Sequence, residues 1–207
     1  MKRICLLLGV VLLSLLAAPT ASRAQVIKEK QPLDPKYLAG AVPVVDGIVT
    51  FTREIDLPEG ADLDLKYEAA KHWVGRYFNR QDTEVLQRRT IDIDSAAHLV
   101  KVGINEFLVF KSNAIVLDRA QFVYSLAVSL RPGRATLTVS DIVYYYGEDS
   151  EFTDKSKVEK YDAETLITDA ACLDKKGTRL NRQTGKFRIK TIDKVDDMAA
   201  SLAEALK

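Results

Sequence analysis

The chain has 207 residues, with 30 Lys and Arg against 29 Asp and Glu, a formal net charge of +1 and 47% hydrophobic residues. That near-neutral balance excludes a global bias toward nucleic acid or anionic membrane, so any such preference has to be local. With only two cysteines, Cys5 and Cys172, a disulfide framework is excluded as the source of stability.

The N-terminus has the order of a secretory signal. Lys2 and Arg3 are basic, Ile4 to Ala18 is almost unbroken apolar sequence, and Ser22-Arg23-Ala24 is a small-x-small cleavage site. The apolar run is about 15 residues, short of the roughly 20 a permanent transmembrane helix needs. Residues 1–24 are therefore expected to be removed before Gln25, leaving no transmembrane segment, and Cys5 sits at the wrong end of the run for lipidation. Losing Lys2, Arg3 and Arg23, with no acid among residues 1–24, takes the formal charge from +1 to about −2. Cys172 then remains as the sole thiol, and the export route implies the periplasm first, with the cell surface or release as further destinations.

Residues 25–43 lack periodicity and carry Pro32, Pro35 and Pro43, which predicts an exposed N-terminal arm. From Gly47 to Ile55 the pattern alternates, Val49, Phe51 and Ile55 against Thr50, Thr52 and Glu54, the mark of a half-buried strand. Pro58-Glu59-Gly60 ends it. Asp62 then caps a helix whose apolar face is Leu63, Tyr67, Ala70, Val74 and Tyr77, widened by Trp73 and Phe78, and this helix is expected to be the sheet's main cover. Strands are predicted over Glu84 to Asp94, His98 to Phe110, Ala120 to Arg131 and Arg134 to Tyr146. The last two are joined by a tight Pro132-Gly133 turn into an antiparallel hairpin. The second of the four loses phase near Asn105 and Glu106, where a bulge or loop is expected. After the acid-rich loop Glu148 to Asp154, a helix from Asp162 to Leu173 and a last helix carrying Ile192, Val195, Ala199, Leu202 and Leu206 complete the order β-α-β-β-β-β-α-α.

Within that order stand Gly40-Ala41-Val42-Pro43, Gly47-Ile48-Val49-Thr50-Phe51, Ser140-Asp141-Ile142-Val143-Tyr144 and Gly185-Lys186-Phe187-Arg188. In these segments the chain resembles an exported Bacteroidetes domain of unknown function with a TATA-binding-protein-like (TBP-like) fold, over roughly Val44 to Tyr146. The resemblance implies an α+β fold: one copy of a curved antiparallel sheet at 44–146 covered by a long helix, with 147–207 as a C-terminal extension of two helices packed on it. It does not imply DNA binding. One copy, no basic bias and an export signal all argue against that activity.

No constellation reaches a catalytic signature. His72 and His98 have no zinc-type spacing, and there is no HExxH, CxxC, nucleophile elbow or Walker loop. No cofactor or metal site is expected, and no catalytic residue is assigned. Three features merit a position in space. Asp92, Asp94 and Asp141 could supply a carboxylate pair for glycoside hydrolysis. Tyr144, Tyr145 and Tyr146 put at least one ring on each strand face, where an exposed ring could stack on a sugar. Lys175 to Lys190 holds Lys175, Lys176, Arg179, Arg182, Lys186, Arg188 and Lys190 without an acid, a run that can attract phosphate or anionic glycolipid. Glu148, Asp149, Glu151 and Asp154 do not follow a calcium-loop order. The leading expectation is a non-enzymatic binding or envelope-accessory protein, with an envelope protein or glycan as partner and no nucleic acid. The alternatives are a carboxylate-dependent hydrolase and docking through the basic 175–190 segment.

Overall fold

The computed structural model describes residues 33–78, 85–112, 117–147 and 158–207. The expected signal at 1–24, the first part of the arm and the acid-rich loop Glu148 to Asp154 lie outside the described residues. A 3₁₀ turn, Pro35–Tyr37, precedes the two-stranded hairpin of β1 (Val44–Val45) and β2 (Ile48–Val49). Then come β3 (Phe51–Asp56), α1 (Leu63–Tyr77), β4 (Val85–Asp94), β5 (Leu99–Ser112), β6 (Leu117–Arg131), β7 (Arg134–Tyr146) and β8 (Glu159–Asp162). The chain ends with α2 (Ala163–Leu166), α3 (Asp169–Cys172) and α4 (Gly185–Ala205).

The main sheet is antiparallel in the order β3-β7-β6-β5-β4, with β8 also paired to β7. Period-2 patterning decides which face is covered. Along β6, Phe122, Tyr124, Leu126, Val128 and Leu130 are buried, while Val123, Ser125, Ala127 and Ser129 are only half-buried. Register carries this across the sheet, so that Val102, Leu126, Val139 and Phe51 form one buried row. Gly133, at a φ of 78°, closes the turn between β6 and β7.

Asp62 caps α1 as its sequence position demands, its Oδ1 accepting from the backbone N–H of Asp64 at 3.0 Å and of Leu65 at 3.2 Å. Tyr67, Ala70, Trp73, Val74 and Tyr77 form its buried face. The cover is shared, however, which corrects the expectation that α1 is the main one. At 21 residues against 15, α4 is the longer helix and buries Phe187, Ile192, Val195, Met198 and Leu202 on the same side. The two helices are tied by Trp73 Nε1 donating to Ser201 Oγ at 3.0 Å and Tyr77 Oη donating to Asp197 Oδ2 at 2.5 Å.

Three further expectations change. The phase break at Asn105 and Glu106 is not a break in β5, which continues through both; the extra residue is Leu86, in β4 opposite them. Asp162 to Leu173 is two short helices rather than one, because extended backbone at Thr168 (φ −61°, ψ 164°) interrupts it, with Thr168 Oγ1 donating back to Glu164 O at 2.9 Å. Finally, the described part of the arm, residues 33–43, keeps exposed residues such as Asp34, Lys36 and Pro43 but is anchored, because the fully buried Arg188 guanidinium binds its backbone. Leu33 to Lys207 forms one compact unit.

Candidate functional site

Inside the covered face an acidic group is buried beneath α4. Glu106 is fully buried, accepting from Tyr124 Oη at 2.6 Å and from Lys194 Nζ at 2.8 Å. Burial, followed by the Glu106 charge beside it, pushes the Tyr124 hydroxyl well above its ordinary value. Every partner in this cluster is spent on another member, which is the arrangement a buried charge requires if it is not to unfold the core. Its role is to join α4 to β5 and β6.

The more open chemistry lies where the end of β7, β8 and the start of α4 converge. Tyr146 closes β7, Tyr161 sits on β8, and Lys186 and Phe187 occupy the first turn of α4. Phe187 packs edge-on against Phe110, Tyr144 and Tyr146, with ring centroids 4.6, 5.2 and 5.3 Å away. The Lys186 ammonium lies over the rings of Tyr146 (4.3 Å) and Phe110 (4.6 Å). It donates to Asp118 Oδ1 at 3.0 Å, Asp118 Oδ2 at 2.8 Å and Tyr146 Oη at 2.6 Å. Tyr146 Oη in turn donates to Asp118 Oδ1 at 2.9 Å. Partial burial alone would lower the lysine's value, but the bonds to Asp118 and Tyr146 outweigh it and hold Lys186 above the ordinary range. Its three protons are all engaged, so Lys186 works as a strut that fixes the Tyr146 ring.

Next to this strut is a hollow of about 440 Å³, within the size range of small-molecule sites. Leu166 and Phe187, both buried, supply its apolar floor, Tyr146 and Tyr161 its rings, and Arg182, Gln183 and Thr184 its rim. Tyr161 donates to Glu159, and that bond, ahead of burial, raises its hydroxyl's value. Thr184 Oγ1 is turned to Cys172 Sγ at 3.4 Å, whereas the Arg182 guanidinium has no partner among the described residues.

The features singled out in the sequence separate in space. Asp92, Asp94 and Asp141 are exposed, and none enters the wall of this hollow, of the 650 Å³ groove between β3 and the end of α4, or of the 520 Å³ hollow beside α3. Three strand spacings, roughly 14 Å, separate β4 from β7, more than a glycosidase carboxylate pair spans. Asp94 instead caps a turn, accepting from the Ala97 N–H at 3.0 Å, and Asp141 sits at a bulge in β7 with φ 55°. The fold therefore keeps Asp141 apart from Asp92 and Asp94, and the latter two remain neighbours on one exposed strand face. His72 is exposed on α1, and His98 Nε2 lies 2.9 Å from Asp64 Oδ1, joining the β4–β5 turn to α1. Among the described residues no three His, Cys, Asp or Glu side chains group as metal ligands.

The tyrosine run splits across the sheet. Tyr144 is buried and bonded to Thr191 Oγ1 at 2.7 Å, Tyr145 is exposed, and Tyr146 walls the hollow. The basic run splits too. Lys175, Lys176, Arg179 and Arg182 are exposed, but Lys186 is the strut and Arg188 is core, donating to Tyr37 O (2.7 Å), Leu38 O (2.5 Å), Ile167 O (2.7 Å) and Asp169 Oδ1 (2.7 Å). Tyr161, Gln183 and Leu166 were not singled out from the sequence, and Phe187 was quoted only within the segment Gly185-Lys186-Phe187-Arg188. Only the place of Gln183 and Phe187 inside the basic run hinted at the site, because its walls come from three separate segments, around Tyr146, at Tyr161 to Leu166 and at Arg182 to Phe187.

The profile of DUF4468, a domain of unknown function with TBP-like fold, matches residues 51–145. The chain superposes on the crystal structure of a DUF4468 family protein from Bacteroides ovatus with a TM-score of 0.71 at 33% identity, over 84% of this chain and 95% of that one. A TBP-like protein from Parabacteroides distasonis gives a TM-score of 0.61 at 19% identity, over 80% and 96% of the two chains, a likeness of fold. No curated protein matches. In sequence and in fold, the chain belongs to the DUF4468 family and has its TBP-like fold.

Proposed function

We propose that this chain is an exported binding module that seats a small ligand in the hollow between Tyr146, Tyr161 and the first turn of α4. Export rests on the basic, apolar and small-x-small order of residues 1–24. Among the described residues no helix is long and apolar enough to cross a membrane. The observation that carries the binding role is the contrast within the hollow. One cation and one ring are locked together by Asp118, while Arg182 is left without a partner at the rim. Preorganised walls beside an unspent donor are what a binding site needs, since ordering costs are met before the ligand arrives. Native mass spectrometry on the protein recovered gently from an expressing cell tests this. A reproducible extra mass that disappears in Tyr161→Ala is expected; a bare mass under every gentle condition, with no small molecule shifting the melting temperature, removes the reading.

A second reading keeps the basic segment as a docking surface for an anionic envelope component. Lys175, Lys176 and Arg179 remain exposed, and the first two help wall the hollow beside α3. This reading predicts salt-sensitive adsorption to anionic vesicles that weakens when these three are changed to Gln. Adsorption that ignores both salt and the triple substitution refutes it.

A further inference from the structure

We infer that the ligand of the Tyr146–Tyr161 hollow is a saccharide residue bearing a carboxylate, an inference that rests on the reading of the hollow as a binding site. Lys186 gives all three protons to Asp118 and Tyr146, and Asp118 neutralises its charge, so it offers a ligand neither a proton nor net charge. Thr184 is committed to Cys172, and the Tyr161 hydroxyl to Glu159. What remains at the rim is the planar fork of Arg182 and the carboxamide of Gln183, whose backbone N–H alone is bonded, to Asn181 Oδ1 at 2.8 Å. A guanidinium fork matches a carboxylate bidentately, and an amide that both donates and accepts matches a hydroxyl pair.

The walls add the second half. Tyr146 is fixed by two hydrogen bonds and by edge contact with Phe187, so its ring is a rigid platform, and Tyr161 presents another over the apolar floor of Leu166 and Phe187. A pyranose has an apolar face of C–H groups and a polar hydroxyl edge, which suits rings below and a polar rim above. Free phosphate or a short carboxylate would use Arg182 and none of the rings. A neutral sugar would use the rings and Gln183 and gain from Arg182 only hydrogen bonds to hydroxyls, without charge pairing. An acidic sugar uses all three.

The test is calorimetric titration of the full chain, as purified from an expressing cell, with four probes: a galacturonate tetramer, maltotetraose as a neutral α-1,4-linked tetramer, benzoate and inorganic phosphate. The galacturonate tetramer is expected to bind about tenfold or more tighter than maltotetraose. The exposed substitution Arg182→Ala is expected to erase that difference, weakening the galacturonate tetramer far more than maltotetraose and leaving the melting temperature unchanged; Tyr161→Phe, which keeps the ring, is expected to leave both sugars bound. Equal affinity for acidic and neutral tetramers, or a preference that survives Arg182→Ala, overturns the inference. So does tighter binding of benzoate or phosphate than of the galacturonate tetramer. Failure of all four probes while native mass spectrometry still shows a Tyr161-dependent mass overturns the ligand class and leaves the hollow standing. Failure of all four together with a bare mass sinks the hollow itself.

Discussion

At the scale of single residues, the basic run shows how the same side chain type is put to opposite uses. Arg188 looks in sequence like one more solvated cation, yet it is fully buried and holds three backbone carbonyls and Asp169. Nothing in sequence spacing distinguishes it from Arg182, because the acceptors come from residues 37, 38 and 167, brought in only by folding. Arg188→Met would leave those acceptors buried without donors, and it is expected to lower unfolding free energy by about 3–5 kcal/mol in urea melts and to expose residues 33–42 to protease. Arg188→Lys should recover less than half, since a point ammonium cannot span four acceptors; full recovery would show that charge alone matters. Asp193 offers a milder case with a pH signature. Burial would raise its value, but bonds from Lys36 Nζ and Tyr37 Oη, each 2.7 Å, outweigh it and hold it below the ordinary 3.8. A depressed carboxylate contributes stability that is present above its unfolded value and is lost as pH falls through its folded one. Wild type should therefore exceed Asp193→Asn by about 0.5–1 kcal/mol at pH 7, a pair this exposed being strongly screened, with the gap closing below about pH 4. A gap independent of pH would assign the loss to packing.

At the scale of elements, legibility follows how local the determining signal is. The hairpin of β6 and β7 and the span of α1 could be read because alternation, a Pro-Gly turn and an N-cap lie within the segments themselves. The cap carries a direct expectation. Asp62→Ala removes the acceptor of two N–H groups and should cost about 1 kcal/mol, with Asp62→Asn nearly neutral, read from melts of the two variants. Equal losses in both would point to charge rather than capping. The β1–β2 hairpin was missed although Asp46-Gly47, at φ 51° and 82°, is a strong two-residue turn signal, because strands of two residues show no alternation. Four-residue β8 escaped for the same reason. Glu106 misled in the other direction. An acid in an apolar phase reads as a break, and only the approach of Lys194, 88 residues on, makes a buried acid tolerable there. The hollow inherits this difficulty. Tyr146 was visible as a strand aromatic, but Tyr161 with β8, and the first turn of α4, which complete the walls, were not predicted.

At the scale of the whole molecule, one thiol can report on both processing and cooperativity. Cys172 is fully buried on α3, beneath Thr184, in the same compact unit as the sheet. Its reaction with a thiol reagent therefore requires opening of the unit around it, and labelling in native buffer should be slower than in denaturant by a factor that tracks stability. If Arg188→Met loosens only residues 33–42, the labelling rate should stay near that of wild type; if the substitution weakens the unit as a whole, labelling should accelerate in step with the loss seen in urea melts. The direct bond from Arg188 to Ile167 O, a few residues before Cys172, favours acceleration. The count in denaturant answers a separate question. The full sequence has two cysteines, and Cys5 lies inside the segment expected to be cleaved on export. Protein recovered from the periplasm of an expressing cell should therefore titrate no thiol when native and one when unfolded. Two thiols in denaturant would mean that residues 1–24 are retained and that the cleavage expected before Gln25 does not occur, whereas rapid labelling of a single thiol in native buffer would mean that α3 opens independently of the sheet.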